Sequence, residues 1–321
     1  MEILIIHPGG LGDIILSLPA IALLRKRYSS AQITGAGNMD HLVPVMTGYA
    51  DRIISLSALP LHQLYASGPV PEAAVKFWRS YDRIVSWTGG GDREFTRKFR
   101  EIHPNVIVAP WRPAQGEATH VSQLFVKSLA PEDGAAAKAV ATPVLLNSNL
   151  RAEGKEWLVE HGWNGLDLLT ALHPGAGSKT KRWPVARFIS LAQHLALQEK
   201  RKLLIIEGSA ERGLSKQIVP ALPSDRAIVF DAMSLNLLAA VVAQCNLFIG
   251  NDSGVAHLAA ALRVRCVVLF GPTLPQHWAP LGHDVRVLRH TQGCEGCASG
   301  GNNHTCLENI TVKEVIRNAK L

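Results

Sequence analysis

"EILIIHPGGLGDIILSLPA", residues 2–20, runs from an apolar strand pattern through a glycine-rich turn into an apolar helical pattern. A strand that leads through glycines into a helix is typical of nucleotide-binding α/β folds, because small residues let backbone N–H groups approach a phosphate. The dinucleotide fingerprint G-x-G-x-x-G fails here, since Gly10 and Gly12 fit it but Ile15 occupies the third glycine position. Asp13 would also compete with a phosphate for the positive end of the helix dipole. The turn therefore predicts an α/β domain whose first loop serves something other than a phosphate.

Apolar strand patterns and longer amphipathic patterns alternate along the chain, which predicts βα repeats and parallel sheets. The strand candidates are "EILIIH", "AQITGAG", "RIISL", "RIVSW" and "NVIVAP" in the first half, then "LTALHPG", "KLLIIEG", "AIVFDA", "NLFIGND" and "CVVLFGP". The alternation restarts near residue 168, after a proline-started connection and a polar helix in residues 141–167. We therefore expect two Rossmann-like, doubly wound domains that face each other across a cleft. Their boundary is expected at about residue 150, with limits 1–152 and 153–321.

Composition restricts the class of protein. With 321 residues, 47% hydrophobic and 18% charged, the chain reads as globular with two cores. No apolar run reaches the ~20 residues that cross a bilayer, and "EILIIH" follows Met1 without a basic leader, so we expect a cytoplasmic protein. A net charge of +7 favours polyanionic partners, including a phosphorylated glycolipid or an anionic membrane surface. Nucleic acid is not expected, because aromatic residues make up only 6% and no nucleic-acid module is recognisable.

A second strand-to-helix junction, "LHPGAGSKTKRWP", residues 172–184, has a polar loop. Ser178, Thr180 and Lys181 offer hydroxyls, amides and an ammonium to a phosphate. A solvated loop before an ordinary helix start is the competing interpretation.

A third junction, "FIGNDSGVAHL", residues 248–258, places His257 in the first turns of a helix. On the ordinary interpretation, Asp252 caps that helix. On the functional interpretation, the free backbone amides of Ser253 and Gly254 form an anion site beside His257. The second and third junctions both follow strands, at the edge where open α/β sheets bind ligands. Together they favour a diphosphate site in the second domain.

Four segments in this order resemble glycosyltransferase family 9, the bacterial lipopolysaccharide heptosyltransferases. They are "GGLGDIILSLPA", "HPGAGSKTKRWP", "AMSLNLLAAVVAQCNLFIGNDSGVAHLAAAL" and "VVLFGPTLPQHWAP". The resemblance implies a GT-B fold, with the acceptor bound by the first domain and ADP-heptose mainly by the second. It also implies that the last helix, about 309–321, packs back on the first domain.

The resemblance also assigns roles to individual positions. Asp13 matches the family's proposed general base, and Lys181 its phosphate-binding lysine. The positions that match the donor site around the diphosphate and sugar are Asp252, Ser253, Gly254 and His257, and those beside the ribose and adenine are Glu211 and Met233.

These roles fit the chemistry of sugar transfer with inversion. A base draws the proton from an acceptor hydroxyl while the nucleoside diphosphate departs from the opposite face. Asp13 would supply that base, and Gly10 and Gly12 would make room for the acceptor. Lys181, His257 and the helix amides would stabilise the departing diphosphate, so no metal or other cofactor is required in principle. A helix-capping role is the alternative for Asp13.

The acceptor expected from the resemblance is the phosphorylated inner core of lipopolysaccharide. In "DREFTRKFREIHP", residues 92–104, Arg93, Arg97 and Arg100 fall on one helical face and apolar residues on another. Arginine suits phosphorylated saccharide, although a solvated basic face is the ordinary explanation of the pattern. This acceptor implies a location at the inner face of the inner membrane, with peripheral contact.

The five cysteines fall into two groups. Cys245 and Cys266 lie in apolar segments and are expected to be buried. In "HTQGCEGCASGGNNHTC", residues 290–306, three cysteines have His290 and His304 close by; they are Cys294, Cys297 and Cys306. A zinc site, reduced surface thiols and a disulfide are the alternatives. The sequence lacks a second C-x-x-C pair at zinc-finger spacing, which counts against zinc.

Two further functions stay open on the sequence. Another nucleotide-sugar enzyme of the same fold, either a transferase with a different donor or an epimerase, would share these junctions. A nucleotide-binding module without activity would also share them, although the presence of Asp13 and Lys181 counts against it.

Overall fold

The computed structural model describes residues 1–114, 116–129, 138–208, 212–231, 234–299, 301 and 303–320. The chain divides into two compact units, Met1–Leu145 and Leu146–Leu321. The limit expected after residue 152 falls inside a helix, Ser148–Glu160, that packs within the second unit. Its polar sequence resembles a linker, because only its small inner face is buried.

The first unit is built on a five-stranded parallel sheet with the order β3-β2-β1-β4-β5. The strands are β1 (Glu2–His7), β2 (Gln32–Gly37), β3 (Arg52–Ser55), β4 (Arg83–Ser86) and β5 (Val106–Val108). The helices are α1 (Leu11–Arg27), α2 (Met39–Met46), α3 (His62–Tyr65), α4 (Glu72–Trp78), α5 (Arg93–Ile102) and α6 (Val121–Ser128), with a short 3-10 helix at Leu56–Ala58. In β1, Ile5 lies between Gly35 of β2 and Val85 of β4. Strands β2 and β3 therefore extend the sheet on one side of β1, and β4 and β5 extend it on the other. The gap between β1 and β4 is the switch point where such sheets bind ligands.

The second unit has a six-stranded parallel sheet with the order β11-β10-β9-β6-β7-β8. The strands are β6 (Leu169–His173), β7 (Lys202–Glu207), β8 (Ala227–Asp231), β9 (Leu247–Asn251), β10 (Arg265–Leu269) and β11 (Val285–Leu288). The helices are α7 (Ser148–Glu160), α8 (Val185–Leu197), α9 (Ser215–Ile218), α10 (Leu235–Val242), α11 (Gly254–Ala261), α12 (Pro275–Trp278), α13 (Glu295–Ser299) and α14 (Val312–Ala319), with 3-10 turns at Lys179–Lys181, Val219–Ala221 and Cys306–Asn309. The switch point of this sheet lies between β6 and β9.

Burial explains why the central strands carry continuous apolar runs. Ile3 to Ile6 of β1 and Leu203 to Ile205 of β7 are fully buried, as expected for parallel sheets covered on both faces. Helix α7 approaches α10 closely, since a Cβ on Gly154 would lie 2.4 Å from the backbone of Ala240. Only glycine fits at this crossing.

Each strand expected from the sequence is confirmed, and the two-sheet α/β architecture with it. Strand β11 was missed, because its sequence VRVL is short and alternates at a sheet edge. The last helix, α14, packs on α8 and β10. Its Val315 and Ala319 belong to the core of the second unit, whereas the family resemblance implies packing on the first. Among the described residues, no helix has the length and hydropathy of a bilayer-spanning segment.

Candidate functional site

The loop after β1 places Asp13 at the first switch point. Gly10 is the N-cap of α1, and its backbone N–H donates to Asp13 Oδ2 at 2.9 Å. The Asp13 side chain is half-buried, and Gly12 lies beside it in the first turn. A Cβ on Gly9 would lie 2.6 Å from Asp13 Cβ and 2.7 Å from His7 Cε1. The glycine at position 9 is therefore what lets His7 and Asp13 approach the same loop.

His7 ends β1 and was not singled out from the sequence. It is 1% exposed and packs edge-on against Trp87, which follows β4 across the switch point. Gly9 N donates to His7 Nδ1 at 3.1 Å. Burial lowers the pKa of His7 to about 4, outweighing backbone contacts that favour its protonated form. The imidazole is thus neutral at physiological pH and fixes the loop without adding charge beside Asp13.

Helix α5 has the two faces expected from its sequence. Its apolar side chains are buried: Phe95, Phe99 and Ile102. Arg93, Arg97 and Arg100 are exposed and line one depression of ≈ 550 Å³. Arg97 is already held by Glu101, with Nη1 at 2.7 Å and 2.8 Å from the two carboxylate oxygens. Arg93 and Arg100 form no ion pair with any residue that the structure describes. Of the three arginines on this face of α5, these two are the more available to an anion.

A second depression in the first unit, of ≈ 830 Å³, was not expected from the sequence. It lies at the carboxyl ends of β1, β2 and β3 and is lined by Pro8, Gly37, Asn38, Met39, Asp40, Ser55, Leu56, Ser57, Leu59, Leu61 and His62. Its residues come from three separate loops, so no single stretch of the sequence predicts this depression.

In the second unit, the loop after β6 brings Lys181 to the end of β9. Lys181 Nζ donates to Asp252 Oδ2 at 2.9 Å. The lysine side chain is 33% exposed and the aspartate 6%, so the pair presents its cationic partner to solvent. Asp252 therefore acts as a counter-ion of Lys181 rather than as the helix cap considered from the sequence.

The cap of α11 is Ser253, whose Oγ accepts from Ala256 N at 3.4 Å. The same Oγ lies 3.1 Å from His173 Nδ1 at the end of β6. Gly254 begins the helix, so its backbone N–H points toward the N-terminal end, where the helix dipole favours anions. His257 is in the next turn and is only 4% exposed.

His173 repeats the arrangement of His7. Both are the last residue of a first strand, both precede Pro-Gly, and together we call them the strand-end histidines. Burial, assisted by the charge of Arg182, lowers the pKa of His173 to about 4. The shared His-Pro-Gly triplet was the sequence signal that would have found both.

Asn251 fixes the loop between β6 and α8. It is fully buried at the end of β9, and its Nδ2 donates to Pro174 O at 2.9 Å and Gly175 O at 3.2 Å. Its Oδ1 accepts from Trp183 N at 3.0 Å. One side chain therefore holds both ends of the loop that carries Lys181.

The remaining expected donor residues are less informative. Ser178 and Thr180 are exposed, and their hydroxyl oxygens lie 2.9 Å apart. Glu211 and Met233 lie outside the described residues. The carboxylate of Glu207 accepts from Gly213 N and, at 2.8 Å, from Ser215 N.

The three clustered cysteines do meet. All five cysteines of the chain are free thiols, so the disulfide alternative is wrong. Cys294 and Cys306 are buried, so they are not surface thiols either. Cys245 and Cys266 are buried as expected. His304 joins the cluster, whereas His290 binds Glu314, with Nε2 2.8 Å from Oε1.

The structure thus brings the expected donor residues Lys181, Asp252 and Ser253 to one sheet edge, with His173 added. It brings Asp13 and Gly10 together in the first unit and gathers the α5 arginines at a separate depression. The Lys181 group and the Asp13 group each lie at the carboxyl ends of parallel strands, where ligand sites of such sheets form.

Comparison with known proteins finds a family similarity in the second unit. The sequence profile of glycosyltransferase family 9 (heptosyltransferase) matches residues 162–307. Lipooligosaccharide heptosyltransferase 2 of Campylobacter jejuni is 31% identical over 165 residues, covering 49% of this chain and 51% of that protein. Lipopolysaccharide heptosyltransferase 2 of Salmonella typhimurium is 28% identical over 191 residues, covering 56% of this chain and 55% of that protein. The chain thus aligns with about half the length of these curated relatives.

The fold similarity extends over the whole chain. The structure of the E. coli ADP-heptose lps heptosyltransferase II superimposes with a TM-score of 0.76 at 20% identity, covering 99% of this chain and 97% of that one. The two parallel-sheet units accordingly have the GT-B fold class. Residues 162–307 of this chain are similar to glycosyltransferase family 9.

Proposed function

We propose that this chain transfers a heptose from ADP-heptose to the inner core of lipopolysaccharide, with inversion at the anomeric carbon and Asp13 as general base. The observation that carries the proposal is the Lys181–Asp252 pair, which lies beside the capped start of α11 at the switch point of the second sheet. This segment falls within the match to the heptosyltransferase family, and the similar E. coli protein is named for ADP-heptose.

The donor diphosphate is assigned to the second unit. An ammonium carries three N–H donors, so Lys181 can donate to Asp252 and to a phosphate oxygen at once. The backbone N–H groups at Ser253 and Gly254 would bind a second phosphate oxygen, with His257 beneath them. Ser178 and Thr180 would add hydroxyl donors from the loop. Glu211 and Met233 are retained as the proposed ribose and adenine contacts.

These contacts serve the departure of ADP. Negative charge grows on the diphosphate as the bond from its oxygen to the sugar carbon breaks, and fixed donors stabilise that charge most in the transition state. The proposal requires no metal or other cofactor for this step.

The nucleophile is assigned to the first unit. An acceptor hydroxyl beside Gly10 and Gly12 would give its proton to the Asp13 carboxylate while its oxygen bonds to the anomeric carbon from the face opposite ADP. The proton then passes from Asp13 to solvent. Asp13 is oriented for this role by the Gly10 N–H, which binds one carboxylate oxygen.

The phosphorylated inner core is assigned to the α5 depression. Arg93 and Arg100 would bind its phosphates directly, and Arg97 would do so by exchanging Glu101 for the ligand. A net charge of +7 supports peripheral contact with the anionic inner face of the inner membrane, where such an acceptor is held.

A thermal-shift comparison of ADP, GDP and UDP tests the donor assignment. A ligand present at 100 times its Kd stabilises the folded state by about 2.7 kcal/mol, so the tightest nucleotide gives the largest shift at equal concentration. ADP should raise Tm most. A larger shift with UDP or GDP would contradict the ADP-heptose assignment, and product analysis without an acceptor would reveal an epimerase.

A further inference from the structure

A cluster of sulfur and nitrogen ligands lies in the second unit, outside the residues proposed for transfer. The thiol cluster consists of Cys294, Cys297, His304 and Cys306. One ligand atom of each residue lies within 4.8 Å of the ligand atoms of the other three. Cys294 and Cys306 are buried, and Cys297 and His304 are partly exposed. No disulfide joins these cysteines.

The separations of the four ligand atoms are close to those that a tetrahedral metal site requires. Zinc binds sulfur at about 2.3 Å and imidazole nitrogen at about 2.0–2.1 Å, so a tetrahedral site needs S···N edges of about 3.6 Å and S···S edges of about 3.8 Å. Cys297 Sγ lies 3.6 Å from His304 Nδ1. The largest separation in the cluster, at most 4.8 Å, exceeds the ideal sulfur edge by about 1 Å. Binding of an ion would therefore draw the ligand atoms together by about 1 Å at most.

The backbone holds the two ligand-bearing segments together. Gly296 N donates to Asn303 O at 2.8 Å, which joins the Cys294–Cys297 turn to the segment that contains His304. A Cβ on Gly296 would lie 2.4 Å from Asn303 O and 2.9 Å from His304 Nδ1, so glycine is required there. Thr305 N donates to Cys294 Sγ at 3.3 Å. Amide donors of this kind stabilise a thiolate that binds a metal.

The cluster also adjoins the loop assigned to the donor. Leu307 follows Cys306 directly, and a Cβ on Gly271 would lie 3.1 Å from both Leu307 Cδ1 and Thr180 O. Further along, Trp183 Nε1 donates to Ile310 O at 3.0 Å. The segment that begins at Cys306 therefore supports the loop that carries Lys181.

We propose that Cys294, Cys297, His304 and Cys306 bind one thiophilic transition-metal ion, zinc or iron, in a closed tetrahedral site. Three thiolates and one imidazole fill four positions, which leaves no open coordination position and makes the site structural rather than catalytic. The thiol protons are released to solvent on binding.

Elemental analysis of the purified full chain tests the proposal. The protein is prepared without chelator and without a polyhistidine tag, and its zinc and iron are measured by mass spectrometry. We expect about one equivalent of zinc or iron per chain, with the two readings distinguishing the metals. Cys297→Ser and His304→Ala should each lose most of it. The matched control is Cys245→Ala, which removes a buried thiol elsewhere and should keep the full equivalent.

A second measurement on the wild-type chain keeps the test independent of whether the variants fold. Removal of metal with a chelator should lower Tm, and added zinc sulfate or ferrous salt should restore it. Replacement by Co²⁺ should produce the visible absorption bands of a tetrahedral thiolate site. The proposal is overturned if the chain holds less than about a tenth of an equivalent of either metal and Co²⁺ gives no such bands. It is also overturned if Cys297→Ser retains the wild-type metal content. Neither result bears on the donor assignment, since metal content is read without turnover.

Discussion

Replacement of Asp13 separates its two roles, helix cap and proposed base. Asp13→Asn keeps an oxygen that can accept from Gly10 N, now at 2.9 Å from the carboxylate, but removes the basic carboxylate. We expect kcat to fall about 10²- to 10⁴-fold, because general-base catalysis contributes that much. This corresponds to about 2.7–5.4 kcal/mol in the activation free energy. The free energy of unfolding should fall by only about 0.3–1 kcal/mol, the value of a charge at a helix N-terminus.

Asp13→Ala loses both the base and the cap. Its kcat should match that of Asp13→Asn, while its unfolding free energy should fall by about 0.5–2 kcal/mol. Asn147→Ala is the matched control, since Asn147 caps α7 by accepting from Leu150 N at 2.8 Å and takes no part in the proposed transfer. It should lose about 1 kcal/mol of stability and keep its kcat.

The assay is ADP release from ADP-heptose with a heptose-deficient lipopolysaccharide core as acceptor, accompanied by urea unfolding of each variant. If Asp13→Asn retains kcat within about tenfold of wild type, the carboxylate is not the base, because the loss falls below the range for general-base catalysis. In that case Asp13 is a helix cap only, and another group accepts the proton.

Three further predictions concern the donor loop, the strand-end histidines and the α7–α10 crossing. Lys181→Met should weaken ADP binding in calorimetry about 10- to 100-fold, since a charge-assisted hydrogen bond contributes about 1.5–3 kcal/mol. The double variant Lys181→Met/Asp252→Asn, which leaves no unpaired carboxylate, should recover stability in urea but not affinity; recovered affinity would contradict the phosphate contact. Folded His173 has a pKa of about 4 against an ordinary 6.5, so between these values the unfolded state binds more protons and stability should fall as pH falls. Urea titrations at several pH values should show that the free energy of unfolding falls less steeply with falling pH for His173→Gln than for wild type. An unchanged slope would contradict the lowered pKa of His173. Gly154→Ala should cost about 1–3 kcal/mol in unfolding experiments through overpacking, while Gly91→Ala, with no atom within 4 Å of its Cβ, should cost far less.

The sheets were predictable because their central strands are buried on both faces and therefore carry uninterrupted apolar runs. Right-handed βα crossovers restrict the strand orders that each unit can adopt, but they do not fix the order. The boundary was harder to predict, because α7 buries little more than Gly154 and Leu158 and its sequence remains polar. Nothing local in that sequence distinguishes a helix docked by a narrow face from a linker.

The residues proposed for the donor were placed after parallel strands by the sequence, but the contact between Lys181 and Asp252 was not predicted. Lys181 and Asp252 are 71 positions apart, and only the neighbouring positions of β6 and β9 bring them together. Each strand-end histidine alone resembles any other strand residue, and only the His-Pro-Gly triplet that the two share distinguishes them in the sequence. For α5, the Arg97–Glu101 pair is at i,i+4 and was readable in advance. That spacing would have shown that one arginine of the three is already neutralised.

Asn251 ties Pro174 and Gly175 at one end of a loop to Trp183 at the other. The loop between Gly175 and Trp183 is therefore held at both ends in the protein without a ligand. Conformational freedom that a slack loop would surrender on binding has already been lost during folding. Nucleotide association should consequently order little additional chain here, and isotope exchange at the amides of residues 175–183 should be nearly as slow in the free protein as in its complex.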